Sequence, residues 1–250
     1  MAAARAGAEL KGFENIEASL SQAGVYDAMT NFEGSLQRLT AEPVDPALRA
    51  ATLEDARTLA RTFNIAAGAL DNAAAGLKFE AQDGVTQVNT LSAELARVNL
   101  QLNRTASGTS DQTMLLDQRD ELLHKLSGFA DISTTIGTDQ SVEVRIGGSG
   151  GPLLVQGGTA STMGLTDVGD GTVSFTLGTA PVTLQSGELA GKAQALVAVR
   201  DQHLVLDKIA DDLSTAANGA QATGAALDGS VGQPLFSGAG AKGITLALTS

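Results

Sequence analysis

The sequence predicts an α+β fold in which an elongated helical bundle with long antiparallel helices carries an inserted small antiparallel β domain. Three observations predict it: a long apolar pattern of helical period before residue 103, a change to strand-like alternation near residue 130, and a return of helical spacing after Gly187. We therefore expect a helical bundle domain over 1–129 plus 187–250 and an inserted β-rich domain over 130–186.

The longest helix is predicted by apolar residues spaced alternately three and four apart over fifty positions. A helix of that length would extend ~75 Å at ~1.5 Å per residue. A period of 3.5 residues is typical of helices that wrap along one another. Gly84 is the weakest point, because a glycine in mid-helix costs about 1 kcal/mol relative to alanine. The apolar positions, called the seam below, are Leu53, Ala56, Ala60, Phe63, Ala67, Leu70, Ala74, Leu77, Ala81, Gly84, Val88, Leu91, Leu95, Val98 and Leu102.

Shorter helices are predicted on either side of the seam, over 9–22, 25–39 and 111–126. Asp45 and Pro46 predict where the long helix begins, because aspartate is a good N-cap and proline fits the first helical turn. Spacing of three and four returns from Leu196 to Ala217 and predicts a return helix. We expect Leu95 and Val98 of the long helix, and Leu206 and Leu213 of the return helix, to be buried within the bundle.

The β-rich domain is predicted by short alternating segments that glycine-rich turns separate. Strands are expected over 141–146, 152–155, 172–177 and 181–184, with another over 244–248 near the end of the chain.

The composition favours packing over chemistry. Hydrophobic residues make up 43% of the chain but aromatic residues only 3%, which suits helix seams better than a ligand pocket. The net charge of −12 argues against nucleic acid and against an anionic membrane surface. The absence of cysteine excludes disulfides and thiolate metal sites. No apolar run is long enough to span a bilayer, and residues 1–7 lack the apolar stretch of a signal peptide.

Three glycine-rich segments match catalytic or nucleotide-binding motifs only in part. Ser149 lies in a G-x-S-x-G pattern, but a strand and not a helix is predicted to follow, so we expect a hairpin turn. Residues 187–193 lack both the spacing and the hydroxyl of a P-loop. Residues 238–243 fit G-x-G-x-x-G, but a strand follows them too, so we expect a loop.

The remaining polar candidates also favour structural roles. His124 and His203 lie on separate predicted helices, and two histidines without a nearby carboxylate cluster make a poor metal site. Asp167 and Asp170 lack the further acids of a calcium loop, so we expect a turn. Residues 116–121 are expected to be a solvated helix face with local ion pairs. No catalytic, cofactor-binding or metal-binding residue is predicted, and no cofactor.

Several segments occur together in a fixed order that resembles a known family. The first is the run Leu-Leu-Asp-Gln-Arg-Asp-Glu-Leu-Leu at 115–123, followed by Leu126-Ser127. It is followed by the hairpin at 141–157, by Gly-Glu-Leu-Ala-Gly at 187–191 with Arg200-Asp201, and by a segment from Asp207 through Asn218 to Phe236. In this order, over about residues 30 to 240, they resemble the flagellar hook-associated protein 1 family, the hook–filament junction proteins.

The resemblance implies a structural axial protein of the bacterial flagellum that acts by subunit packing, with no catalysis. It implies as partners the flagellar hook protein, the second hook-associated junction protein, other copies of the chain in the assembled ring, and an export chaperone that binds a terminal segment. It also implies an extracellular location, reached by type III export without a cleavable signal peptide.

The family's long terminal heptad segments are not found in this sequence. We therefore expect the chain to correspond to the outer part of such a protein and to be monomeric in dilute solution.

Two other functions remain open from the residues alone. One is a secreted or surface helical-bundle sensory or adhesive binding module with a β insertion, which would need a transmembrane segment in the full gene. The other is a hydrolase, which would depend on Ser149 alone.

Overall fold

The α+β class is confirmed by a computed structural model, which describes residues 1–226 and 229–248. The helices are α1 (Ala2–Ala23), α2 (Val25–Ala41), α3 (Pro46–Leu102), α4 (Ser110–Phe129), α5 (Glu188–Ala222) and α6 (Gly240–Gly243). The strands are β1 (Ile132–Ile136), β2 (Val142–Ile146), β3 (Leu153–Gln156), β4 (Thr159–Ala160), β5 (Met163–Asp167), β6 (Val173–Leu177), β7 (Ala180–Val182), β8 (Phe236–Ser237) and β9 (Thr245–Leu246).

The chain divides into two compact units, each built from separate segments. The first unit comprises Met1–Phe13 and Ala74–Ala198, and the second comprises Glu14–Ala73 and Val199–Ser250. The sequence predicts a different division, with a helical bundle over 1–129 plus 187–250 and an inserted domain over 130–186. Whether the insertion folds by itself stays a prediction. Within the first unit, strands of the insertion share one buried cluster with α3.

Helix α3 begins where the sequence predicts and runs without interruption for 57 residues. The Asp45 carboxylate caps it, because Oδ1 accepts hydrogen bonds from the backbone nitrogens of Ala47 and Leu48 at 2.7 and 2.9 Å. Every seam position except Leu53 and Ala74 is buried. The seam is therefore confirmed as the buried face of one helix.

The glycine in the middle of α3 is explained by close packing. A Cβ built on Gly84 would lie 2.8 Å from Cδ2 of Leu189 and 3.6 Å from Cδ1 of Phe129. Any larger residue would push Leu189, in the first turn of α5, away from α3. The loss of helix propensity at Gly84 is thus offset by a closer approach of apolar side chains, and the helix does not break there.

The first helix is longer than predicted, because it begins at Ala2 and not near residue 9. Its first turns are held at the start of α5, where the Met1 carbonyl accepts a hydrogen bond from the Gly187 nitrogen at 3.2 Å. Arg5 donates from Nη1 to the Gln185 carbonyl at 2.7 Å. These tertiary contacts extend a segment whose own sequence carries little apolar periodicity.

Small residues let α1 and α5 lie very close together within the first unit. A Cβ on Gly12 would lie 2.4 Å from Cβ of Ala195, and one on Gly191 would lie 2.5 Å from the Arg5 carbonyl oxygen. Neither position has space for a side chain, so both glycines are required by this helix contact.

Two antiparallel sheets lie in the first unit, ordered β1-β2-β3-β4 and β5-β6-β7. Strand β2 alternates buried and half-buried residues, and Val142, Val144 and Ile146 join the cluster beneath α3. Strands β1 and β5 were not predicted individually, because neither shows clean alternation of apolar and polar residues. Strands β8 and β9 pair in the second unit.

The expectations for the return helix are confirmed except at Leu213. Leu206 and Ala210 are buried, but Leu213 is only half-buried. The expected loop at 238–243 is also wrong, because it contains the one-turn helix α6. The strand expected over 244–248 is shorter and covers Thr245–Leu246 only.

The seam gives a direct stability prediction. Leu95 is fully buried, so Leu95→Ala should lower the free energy of unfolding by ~2–5 kcal/mol, the usual cost of truncating a buried leucine. As a control, Ser149→Ala at an exposed turn should change it by less than ~0.5 kcal/mol. Urea denaturation followed by circular dichroism measures both. A Leu95→Ala variant as stable as the parent would contradict the packing described for α3.

Candidate functional site

Ser149 does not lie in a nucleophile elbow. It is in an exposed turn between β2 and β3, and the chain continues into strand β3 without a helix. The turn is closed by hydrogen bonds from the nitrogen of Gly151 to the carbonyl of Gly148 and from the nitrogen of Ile146 to the carbonyl of Pro152, both 3.1 Å. The expected hairpin is thus confirmed, since the elbow needs a helix directly after the serine.

The segment that resembles a P-loop uses its lysine for an internal ion pair. Lys192 is buried, and its Nζ lies 2.6 Å from a carboxylate oxygen of Glu188 and 3.4 Å from one of Glu80. The Gly187 nitrogen donates to the Met1 carbonyl. The groups that would hold a phosphate in a P-loop therefore join α1, α3 and α5 within the first unit.

The glycine segment at 238–243 has its helix N-terminus occupied by carboxylates. Asp211 accepts from the Gly240 nitrogen and Asp207 from the Ala241 nitrogen, each at 2.7 Å. These are the backbone donors that a dinucleotide pyrophosphate would need. Two carboxylates there satisfy the donors and would repel a phosphate, so the segment docks α6 onto α5 within the second unit.

The two histidines lie on different helices, His124 on α4 and His203 on α5. His124 is exposed on α4. His203 is partly exposed, and its Nε2 lies 3.2 Å from Oδ1 of Asp71. The other oxygen of Asp71 accepts from Lys242 Nζ at 2.6 Å. This chain of polar contacts links α3, α5 and α6 within the second unit.

Asp167 and Asp170 form a turn, as expected. Asp167 accepts a hydrogen bond from the Gly169 nitrogen at 2.9 Å, and Asp170 accepts from the Thr172 nitrogen at 3.0 Å. Across residues 1–226 and 229–248, no three His, Asp or Glu side chains come together in a way that could hold a metal ion. No helix in these same ranges is long and apolar enough to cross a membrane.

The run at 116–121 differs from the expected solvated face at one residue. Arg119 is buried, and its Nη1 donates to the carbonyl of Gln140 at 2.9 Å. Its Nε and Nη2 donate to Oδ1 of Asp120 at 2.9 and 2.8 Å. Gln140 has a positive φ of 65°, a conformation that non-glycine residues rarely adopt. Arg119 therefore fixes the β1–β2 turn against α4. Glu121, at the end of the run, forms a local ion pair with Lys125 at 2.7 Å.

A buried asparagine on α3, Asn99, bonds to the β-sheet where strand β2 begins. The Asn99 side chain accepts from the Val142 nitrogen and donates to the carbonyls of Val142 and Gly157, all at 2.9 Å. The amide thereby takes the place of a neighbouring strand beside the first residue of β2. Burial of unpaired backbone groups is costly, so this contact fixes where the sheet lies on the helix.

Two more asparagines each bind both the nitrogen and the carbonyl of one strand residue. Asn89 on α3 accepts from the Met163 nitrogen at 2.7 Å and donates to the Met163 carbonyl at 2.9 Å. Asn218 on α5 accepts from the Phe236 nitrogen at 2.9 Å and donates to the Phe236 carbonyl at 2.8 Å. The sequence pattern does not predict these asparagine contacts. The available signal was that Asn89 and Asn99 directly follow seam valines, where a polar residue borders a buried face.

These contacts together define what the polar side chains of the chain do. Arg119, Asp207 and Asn218, which lie in the segments that resemble the junction-protein family, all bind backbone groups of a neighbouring element. Their arrangement orients helices, turns and strands for packing.

The asparagine contact gives a second stability prediction. Asn99→Ala would leave the buried groups of Val142 and the carbonyl of Gly157 unpaired, and should cost more than ~2 kcal/mol, since each unsatisfied buried group costs ~1–3 kcal/mol. Asn72→Ala is the matched control, because Asn72 is an exposed residue of the same helix. Urea denaturation of both variants tests this, and equal midpoints would contradict the role given to Asn99.

An ion pair on the first unit gives a pH prediction. Nζ of Lys78 donates to Asp167 at 2.5 Å, and this bond holds the pKa of Asp167 below its usual value. A lowered pKa in the folded state means that ionised Asp167 stabilises the fold above the unfolded-state pKa, and that this contribution is lost as pH falls through the folded-state pKa.

Lys78→Ala should therefore raise the pKa of Asp167, as followed by NMR of its carboxyl carbon. Lys125→Ala is the control, because Lys125 pairs with Glu121 and should leave the pKa of Asp167 unchanged. An Asp167 pKa that stays low in the Lys78→Ala variant would show that the backbone donor of Gly169 dominates instead.

The chain is similar to known flagellar proteins in sequence. The family model described as the flagellar hook-associated protein FlgK helical domain matches residues 10–236. Flagellar hook-associated protein 1 of Bacillus subtilis (strain 168) is 29% identical over 126 residues, which is 50% of this chain and 25% of that protein.

A solved structure shows the same fold. The flagellar hook junction protein FlgK from Burkholderia pseudomallei matches with a TM-score of 0.76 at 23% identity, over 94% of this chain and 46% of that one. The chain thus spans less than half the length of either relative. Because the family model covers most of its residues, the chain belongs to the family of the flagellar hook-associated protein FlgK helical domain.

Proposed function

We propose that this chain is a structural part of the bacterial flagellum that helps to join hook to filament, acting by subunit packing and without catalysis. The observation that carries the proposal is the family match over residues 10–236. It is supported by the structural similarity to a flagellar hook junction protein across nearly the whole chain. The comparisons give no support to a sensory or adhesive module.

The use of the polar side chains supports a non-enzymatic role. The lysine of the P-loop-like segment is engaged with carboxylates of Glu80 and Glu188, and the helix N-terminus at Gly240 is engaged with Asp207 and Asp211. Residues that could have bound a nucleotide are thereby used to hold helices together. Such contacts hold neighbouring elements together, which suits a protein that acts by packing.

The proposed partners are those expected of a hook–filament junction protein. The proposal includes the flagellar hook protein on one side, the second hook-associated junction protein on the other, and further copies of the chain in a ring. It also includes a cytoplasmic export chaperone that binds terminal segments of the protein, and a final location outside the cell. The net charge of −12 fits neither nucleic acid nor an anionic membrane as a partner.

Deleting the gene in the source bacterium tests the junction role. Cells without the protein should assemble hooks but fail to retain filaments, and the native gene supplied in trans should restore both filaments and swimming. Electron microscopy of the cell surface and motility in soft agar measure these outcomes. Normal filaments in the deletion strain would refute the proposal.

The non-enzymatic part has its own test. A gene that carries Ser149→Ala and His124→Ala together should restore motility as well as the native gene, because both side chains are exposed and neither supports the fold. The Leu95→Ala gene serves as the comparison that weakens the fold. A folded but non-functional Ser149→Ala, His124→Ala protein would indicate chemistry at these side chains.

A further inference from the structure

We propose that the outer edge of strand β1 is a docking site for a second copy of this chain, with the two β1 strands paired antiparallel about a two-fold axis at Thr134. The contact would join two four-stranded sheets into one continuous sheet. It goes beyond the proposed junction role and does not depend on it.

The backbone of β1 has a full set of hydrogen-bonding groups that face away from its sheet. The Gly137 nitrogen donates to the Ser141 carbonyl at 2.8 Å, and the Gly147 nitrogen donates to the Asp131 carbonyl at 2.9 Å. Because backbone groups alternate in direction along a strand, those of residues 132, 134 and 136 point outward. Within the ranges 1–226 and 229–248, no group bonds to them, since β1 pairs only with β2.

Other strands of the protein have such groups capped by asparagines. Asn89 binds both backbone groups of Met163 on β5, and Asn218 binds both of those of Phe236 on β8. Strand β1 has no such cap. Its last three residues are exposed, and Ile136 is 55% exposed.

The edge also lacks the features by which proteins prevent strands from pairing. These are charged residues, proline and bulges on the edge strand. The sequence of β1 is Ile-Ser-Thr-Thr-Ile, which contains none of these side chains, and its pairing with β2 is regular from Ile132 to Ile136. An edge that is regular, uncharged and rich in β-branched residues is suited to strand addition.

The occupant follows from the pattern of the edge itself. The residues whose backbone groups point away from the sheet are Ile132, Thr134 and Ile136. Their order is the same when it is read in either direction along the strand. An antiparallel pair centred on Thr134 would match Ile132 with Ile136 of the second copy and Thr134 with Thr134. Such isoleucine and threonine pairs are favourable across strands, and every outward donor would meet an acceptor.

Charge does not oppose a second copy at this place. Two chains of net charge −12 repel one another over most of their surfaces. Residues 132–138 carry no charge, and the carboxylate of Asp131, just before them, accepts hydrogen bonds from the nitrogens of Gln185 and Ser186 within its own chain. Two copies can therefore meet at the β1 edge without bringing like charges together on the paired strands.

The contact is short, so it should be weak. One strand of five residues per copy is well below a standard stable interface. The pair therefore forms at high local concentration, in keeping with a monomer in dilute solution. A two-fold contact uses the same surface on both copies, so it adds no third copy. It differs in this way from the head-to-tail packing of subunits along a tube.

Cross-linking gives the sharpest test, because the chain has no cysteine. Thr134→Cys places a single thiol in each copy beside the two-fold axis, where a short bismaleimide should join two chains, with a yield that rises with concentration. Thr159→Cys is the control, because Thr159 lies on β4 at the opposite edge of the same sheet. A Thr134→Cys protein that cross-links no better than Thr159→Cys would overturn the proposal.

A charge placed on the axis gives an independent measurement. Thr134→Lys should weaken self-association several-fold in sedimentation at millimolar concentration, because two lysines would face each other. Thr159→Lys makes the same charge change at the other edge and should associate like the parent. Equal association of the two lysine variants, with matching circular dichroism spectra, would refute the pairing. Filament growth in the complementation assay tests the junction role separately.

Discussion

The buried face of α3 is the constraint on which the rest of the structure depends. Its seam contributes Val88, Leu91, Leu95 and Val98 to the cluster that covers one side of the strands in the first unit. Earlier seam positions such as Phe63 and Leu70 are buried in the second unit. Removing this face would leave the sheets without the apolar surface that they need for stability.

Apolar burial alone would leave the strands free to slide along the helix, because the hydrophobic effect has no direction. The asparagine amides supply the missing direction. Asn89 and Asn99 each bind the backbone of one strand residue through both a donor and an acceptor. A strand shifted by one residue would lose both bonds and turn its buried side chains outward. The seam thus provides the stability, and the amides determine the register.

The same division of roles explains why the motifs that suggest catalysis are structural. Lys192 and the backbone donors of Gly240 and Ala241 are used to join helices. Arg119 is used to hold a turn of unusual backbone conformation. In each case a polar group that could bind a ligand joins elements of the chain instead, and the chain belongs to the family of the flagellar hook-associated protein FlgK helical domain.

The sequence by itself determined the features that depend on local pattern. These are the class, the seam of α3, the Asp45 cap and the glycine turns, because period, capping and turn chemistry act between residues that are close in the chain. Tertiary structure alone decided why Gly84 is glycine, why α1 begins at Ala2, and that Arg119 and Asn99 are buried. Each of these depends on a partner between about 20 and 190 residues away in the chain, as the Gln140 carbonyl is for Arg119 and Leu189 is for Gly84. Local patterns carry no record of such partners, so only the folded chain could identify them.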